Sequence, residues 1–365
     1  MATYIYQHKN WTQFTWDYDK IAVILGEVRQ LQGKLSGTMN ALGFSLQEEA
    51  MLETLTLDIM KSSEIEGEKL DRKQVRSSIA KRLGLEIGGL EAIDRNVDGV
   101  VEMLLDATQN YTQNLSEDRL FGWHSALFPS GRSGMYKIEV GKYRINEMQV
   151  VSGTIGNEKI HFEAVAAKNL QFEMDNFIDW VNKKTNIDPV LKSAIAHLWF
   201  VTIHPFDDGN GRIARAISDM LLARCDDSSQ RFYSMSNQIL KERKRYYTAL
   251  EKAQRGDADI TRWLHWFLSC LKKSLLNTET ILKSVFRKAD FWQKHKDTPL
   301  NDRQRLMINK LFDHFYGKLT SSKWAKMTKT SRDTALRDIK DLIDKGILKQ
   351  DEAGGRSTNY EIICF

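Results

Sequence analysis

The residues of this chain best placed to do chemistry lie in one stretch, His204-Pro-Phe-Asp-Asp-Gly-Asn-Gly-Arg-Ile-Ala-Arg215. Twelve residues carry a histidine, two carboxylates, two glycines, an asparagine and two arginines. That set suits a phosphate site with a base beside it. A histidine near neutral pKa takes a proton at physiological pH. Gly209 and Gly211 let backbone approach a phosphate closely. Arg212 and Arg215 are three apart and project from one helix face.

The flanking residues say how the stretch is held. Val190, Leu191, Ala194, Ile195, Leu198 and Trp199 recur at helical spacing, and Asp188-Pro189 reads as an N-cap followed by an N1 proline, so a helix is predicted over 189–203. A second helix is predicted over 213–223. The stretch between them is then a loop running into a helix N-terminus, where free N–H groups and the helix dipole favour an anion. Gly209-Asn-Gly-Arg-Ile-Ala214 also fits the loose dinucleotide pattern G-x-G-x-x-A. That pattern belongs after a strand, and a helical pattern precedes this one. No G-x-x-x-x-G-K-[ST] occurs, which excludes a P-loop.

The stretch resembles the Fic family signature, H-x-F-x-D/E-G-N-G/K-R-x-x-R, at every specified position. The resemblance implies transfer of AMP from ATP to a Ser, Thr or Tyr hydroxyl of a protein. It casts His204 as general base, Phe206 as loop anchor and Asp208 as the Mg²⁺ ligand. Gly209, Asn210 and Gly211 would cradle the α- and β-phosphates, with Arg212 on the β- and Arg215 on the γ-phosphate. Ser62-Ser-Glu-Ile-Glu66-Gly67 resembles the family's inhibitory motif, [S/T]-x-x-x-E-[G/N], so Glu66 is expected to pair with Arg215 and Ser62 to sit one helical turn before it. A carboxylate on that arginine competes with ATP. Tyr247 and Gln254, seven apart on one helix face, match positions that line the adenine and ribose pocket. Two β-type runs around Gly156-Asn157, Met148–Gly153 and Lys159–Phe162, read as a hairpin. In the family this is a flap that aligns the target by strand addition, with Val151 and Gly153 among the contacts.

The fold expected is mainly α: a helical catalytic core with a small hairpin flap, plus a C-terminal winged helix-turn-helix. Residues 1–85 form an N-terminal helical domain that includes the inhibitory helix at about 46–67, with Ser45 as its N-cap and Glu48 at the capping-box position. Residues 86–275 form the core, 276–298 a helical connector and 299–365 the winged helix. Helices are also predicted over 72–83, 89–105, 120–127 and 257–271. His124 and His161 read as structural and surface histidines, and Arg144 as one partner of a structural salt bridge.

Bulk properties narrow the class. The chain has 365 residues, 42% hydrophobic and 28% charged, and a net charge of +5. That balance permits nucleic-acid binding without demanding it. Cys225, Cys270 and Cys364 are odd in number and far apart, as for reduced thiols. No signal-peptide core or membrane-length apolar run is evident, so a cytoplasmic protein without membrane association is expected. The partners expected are a hydroxyl-bearing protein target, which includes the chain itself, a homodimer partner, and DNA through residues 299–365. On the last helix Arg332 and Arg337 favour DNA, while Asp333, Asp338, Asp341 and Asp344 oppose it. Three readings stay open beside adenylylation: AMP removal, use of UTP, CTP or GTP, and a DNA-binding regulator whose Fic site senses nucleotide.

Overall fold

A computed structural model describes residues 4–85, 91–152, 159–312, 315, 317–351 and 358–363. It divides into two compact units, Met1–Thr280 and Ile281–Phe365.

The first unit is helical: α1 (Tyr18–Asn40), α2 (Phe44–Ile65), α3 (Arg72–Leu83), α4 (Arg95–Gln109), α5 (Glu117–Leu127), α6 (Leu170–Asn182), α7 (Pro189–Ile203), α8 (Asn210–Asp226), α9 (Met235–Lys241), α10 (Arg243–Gln254) and α11 (Thr261–Leu276), with α12 (Thr278–Ile281) at its end. Two antiparallel pairs interrupt them: β1 (Arg132–Ser133) with β2 (Tyr136–Lys137), and β3 (Gln149–Ser152) with β4 (Lys159–Glu163).

Everything is hung on α7. All its residues from Ser193 to Ile203 are buried, so it is apolar on every side and sits at the centre. Its start is as the sequence predicts: the Asp188 carboxylate accepts from the Val190 N–H at 2.8 Å, and Pro189 occupies N1. α8 packs along α7, and α2 lies against α9, α3 and α8. The end of α2 meets the start of α8.

α4 and α5 approach unusually closely. A Cβ on Gly99 would lie 1.8 Å from the Ala126 carbonyl oxygen. The pair is tied by Asp106, whose Oδ2 accepts from Arg119 Nε and Trp123 Nε1, each at 2.7 Å.

Several boundaries move from their predicted places. α2 starts at Phe44 on a Gly43 N-cap with no side-chain bond, so Ser45 lies inside the first turn and does not cap it. α4 begins at Arg95 because the Asp94 carboxylate caps it through Asn96 N–H. α8 begins three residues before the predicted 213, because its first turn is built from the signature glycines. β1 and β2 are too short to leave an alternation in the sequence.

The second unit holds α13 (Lys283–Lys294), α14 (Asp302–Phe312), α15 (Ser321–Thr328), α16 (Arg332–Asp344) and an antiparallel pair, β5 (Leu348–Gln350) with β6 (Tyr360–Ile362). Its core is Phe291, Met307, Ile308, Trp324, Ile339 and Leu342 with their neighbours. Residues 299–365 hold α14, α15, α16 and this strand pair. Gly153, the Gly156-Asn157 turn and Cys364 lie outside the described residues. Among the described residues, no helix is long and apolar enough to cross a membrane.

Candidate active site

α7 ends at His204, which takes a left-handed conformation at φ 54°. That region is costly for a residue with a Cβ and tends to mark functional turns. The imidazole Nδ1 lies 3.2 Å from the Val201 carbonyl oxygen. A carbonyl only accepts, so Nδ1 carries the proton and Nε2 keeps its lone pair. Burial, helped by the Arg144 charge, pushes the His204 pKa down to about 4 against the opposing pull of the Val201 carbonyl, Glu66 and Asp208. His204 is therefore neutral at physiological pH, with a free basic nitrogen.

The loop after it is locked from inside. Phe206 is fully buried. Asn210 closes the turn by accepting from Phe206 N–H at 3.0 Å and donating to Phe206 O at 2.7 Å. The Asn210 amide is thus spent on the loop, and only its backbone N–H remains for a ligand. His124, at 0% exposure, stacks on Phe206 with ring centroids 4.3 Å apart. Its Nδ1 accepts from Gly141 N–H at 3.1 Å, which leaves Nε2–H to donate to Asp208 O at 3.2 Å. His124 is structural, as read, and it holds the signature loop.

Gly209 takes φ 80° and caps α8, whose first backbone bond is Ile213 N–H to Gly209 O at 3.0 Å. The N–H groups of Asn210, Gly211 and Arg212 precede that bond and have no intrahelical acceptor. The Asp208 carboxylate accepts from Gly209 N–H at 2.6 Å and from the Ser133 hydroxyl. Each oxygen retains a lone pair, which a hard cation such as Mg²⁺ accepts.

The arginines are buried and already occupied. Arg215 donates from Nε to Ser62 Oγ and from Nη2 to Ser62 O, both at 2.9 Å, and its Nη1 lies 2.8 Å from Glu66 Oε1. Gly67, at φ 89°, turns the chain out of α2 so that Glu66 faces α8. Arg212 lies over the Phe128 ring at 5.0 Å and meets Glu68 Oε2 at 2.7 Å. Nε of Arg212 and Nη1 of Arg215 are buried without a well-directed hydrogen bond. Such buried cationic donors, beside the three free N–H groups, fit a polyphosphate. A Cβ on Gly211 would lie 2.3 Å from Glu66 Oε1. The missing side chain is therefore the space that the carboxylate fills.

Tyr247 is 41% exposed, and its hydroxyl feels Glu66 and Arg215, which places it at the site. Gln254 is placed differently from the expectation. It is 6% exposed and donates Nε2 to Val201 O at 3.2 Å, the carbonyl that also fixes His204. Its amide nitrogen thus braces the turn that carries His204. Val151 is 47% exposed on β3, which pairs with β4 around a register shift between Val150 and Val151. His161 lies 3.3 Å from Glu251. Arg144 forms no ion pair among the described residues. It is 2% exposed and donates to backbone carbonyls, which corrects the predicted salt bridge.

Sequence reading missed Glu68. The motif that draws the eye ends at Gly67, and Glu68 reads as one more charge beyond a helix. Its signal was its distance: two residues past Glu66, as Arg212 is three before Arg215.

One helical unit thus brings together a buried helix ending in a histidine, a glycine-capped helix N-terminus and two enclosed arginines. Residues 114–222 match the Fic/DOC family, so the chain carries a Fic domain. Residues 4–85 match a domain of unknown function, DUF4172. Protein adenylyltransferase fic-1 of Caenorhabditis elegans is 27% identical over 214 residues, 57% of this chain and 38% of that protein. A probable protein adenylyltransferase of Aquifex aeolicus is 34% identical over 79 residues, 22% of each chain. The chain therefore spans less than half the length of these curated relatives. The crystal structure of a Fic family protein from Desulfovibrio desulfuricans is 20% identical and superposes with a TM-score of 0.59, covering 94% of this chain and 95% of that one. This likeness shows the fold.

Proposed function

We propose that the chain is a protein adenylyltransferase, held back by its own α2 end. The observation that carries this reading is a neutral His204 with Nε2 unprotonated, beside a helix N-terminus and two buried arginines. The target hydroxyl gives its proton to Nε2 as its oxygen attacks the α-phosphorus of ATP. The bond from that phosphorus to the bridging oxygen of pyrophosphate breaks, and pyrophosphate leaves. Asn210, Gly211 and Arg212 N–H groups and the two guanidinium groups hold the phosphates and meet the charge that develops. Asp208 would hold Mg²⁺, which supplies further charge neutralisation on the phosphates. The hairpin β3–β4 would align the target strand, with Val151 in contact.

Glu66 and Glu68 occupy the arginines that ATP needs, so the resting chain is inhibited. The test is AMP incorporation from α-labelled Mg·ATP by wild type, Glu66→Gly, and Glu66→Gly with His204→Ala. Labelling in Glu66→Gly alone supports the reading. No labelling in any variant that binds ATP overturns it and favours AMP removal.

One observation favours a second activity in the other unit. Asp338 on α16 is 5% exposed and accepts from Arg303 at 2.8 and 3.0 Å. It turns inward, and so drops out of the four carboxylates that oppose phosphate. Arg332 and Arg337 remain exposed. We propose DNA binding through α16, tested by salt-dependent retention of the full chain on duplex DNA. Retention unchanged by Arg332→Ala with Arg337→Ala would refute it.

A further inference from the structure

Arg144 is a buried charge with no ion pair among the described residues, and Glu147 and Asp207 act on it only at longer range. Its Nε donates to His204 O at 2.8 Å and its Nη1 to Asn146 O at 2.7 Å. Nη2 donates to Val165 O, and more distantly to Ile203 O at 3.5 Å. Its own N–H donates to Pro205 O at 2.9 Å. Burying a cation with carbonyls alone is expensive, and simple packing would be served by an apolar side chain. The carbonyls fall into two sets. Asn146 and Val165 are the two roots of the β3–β4 hairpin. Ile203, His204 and Pro205 are the turn that carries the imidazole. One planar guanidinium thus fastens both ends of the hairpin to the left-handed residue at the end of α7. Five fixed donors make this possible, where a lysine has one nitrogen.

We infer that Arg144 is a positioning residue that couples the hairpin to His204, so that a strand added to β3 sets the orientation of the imidazole. The inference rests on the reading of His204 as base and of the hairpin as target platform. The guanidinium holds the His204 carbonyl in the direction that its left-handed conformation, φ 54° and ψ 59°, gives it. Without it, the strained residue relaxes and Nδ1 leaves Val201 O. Arg144 also keeps the imidazole uncharged by proximity. The charged groups facing His204 are Arg144 before the hairpin, Glu66 at the end of α2 and Asp208 in the signature loop.

The experiment is a pH titration of the full chain, labelled in its histidines with ¹³C and ¹⁵N, followed by NMR. Wild type, Arg144→Lys and Arg144→Met are compared, with His204→Ala assigning the signal. In wild type His204 shows protonated Nδ1 and stays neutral down to about pH 4. Arg144→Lys keeps the charge and loses the clamp, so mixed tautomers are expected with little change of midpoint. Arg144→Met loses both, and the midpoint is expected to rise toward that of an unperturbed imidazole. If Arg144→Met does not fold, Arg144→Lys carries the test alone. A wild-type His204 tautomer in a folded Arg144→Lys overturns the inference. In the Glu66→Gly background, Arg144→Lys is expected to lower kcat at least tenfold with KM for ATP unchanged. A fall in apparent kcat no larger than the measured loss of folded protein also overturns it. The NMR readout needs no transfer reaction, so absence of labelling refutes the proposed function without touching the coupling.

Discussion

Replacing Glu66 by Gln should make the chain less stable alone and more strongly stabilised by ATP. The side chain keeps its shape and loses its charge. Arg215 is 3% exposed and is left with the two bonds from Ser62. Stripping a fully buried charge of its partner costs about 3–5 kcal/mol. Glu66 is 30% exposed and Ser62 still satisfies part of the guanidinium, so the cost falls to about 1–2 kcal/mol. For a unit of this size that lowers Tm by roughly 2–3 °C. ATP no longer has to displace a carboxylate, and the same 1–2 kcal/mol should tighten its binding by roughly 5–30-fold. Glu68 gives the control. It is 49% exposed, so its pair with Arg212 is screened and worth about 0–1 kcal/mol. Glu68→Gln should therefore change Tm little and tighten ATP by less than about fivefold. Thermal unfolding with and without Mg·ATP, and titration of a fluorescent ATP analogue, read both quantities. If Glu66→Gln leaves stability and affinity at wild-type values, the ion pair does not compete with nucleotide and the reasoning fails. An effect of Glu68→Gln larger than that of Glu66→Gln would also sink it.

Other perturbations have signs fixed by geometry. Gly99→Ala drives a Cβ into the Ala126 carbonyl, which is backbone and cannot step aside, so a loss of about 3 kcal/mol or more is expected. Gly122→Ala, in mid-helix with nothing within 4 Å of the new Cβ, should instead gain about 0.5–1 kcal/mol. The two melting temperatures should move in opposite directions, and a parallel shift would refute the packing argument. Acid should weaken the first unit. Burial holds His124, His197 and His204 at about 4, 3 and 4, below their unfolded values near 6.5. Their stabilisation is present above about pH 6.5 and is lost as pH falls toward 4, at about 1.4 kcal/mol per pH unit for each. Asp219, raised to about 7 by burial, runs the other way, as do Asp226 and Glu173, which burial also raises, so the net loss is smaller than three histidines alone would give. A Tm that does not fall between pH 7 and pH 5 would contradict this.

The legible part of the site was the part encoded locally. Asp188-Pro189 and Gly67 announce helix ends by chemistry confined to a few residues, and the structure has them where they were read. The pairing of Glu66 with Arg215 was legible only through resemblance, because it joins residues 149 positions apart in sequence. Gln254 and Arg144 show the limit. Gln254 read as lining the nucleotide pocket and Arg144 as half of a salt bridge, and both donate instead to carbonyls near His204. Nothing in a sequence reveals which backbone oxygens lack a partner until the chain is folded. Glu68 and the His124–Phe206 stack were hidden for the same reason.

The side chain missing at Gly211 has a consequence for how such a protein could change over generations. The atom missing there serves the proposed brake and the proposed substrate together. Any side chain at 211 would evict the Glu66 carboxylate, and it would equally obstruct a phosphate approaching the start of α8. A mutation at this position cannot release the enzyme without disarming it. Heritable escape from self-restraint must come from the α2 side, at Ser62, Glu66 or Gly67, where a lost contact leaves the nucleotide pocket whole. On this proposal, variants with constant activity should cluster there and be absent from 211.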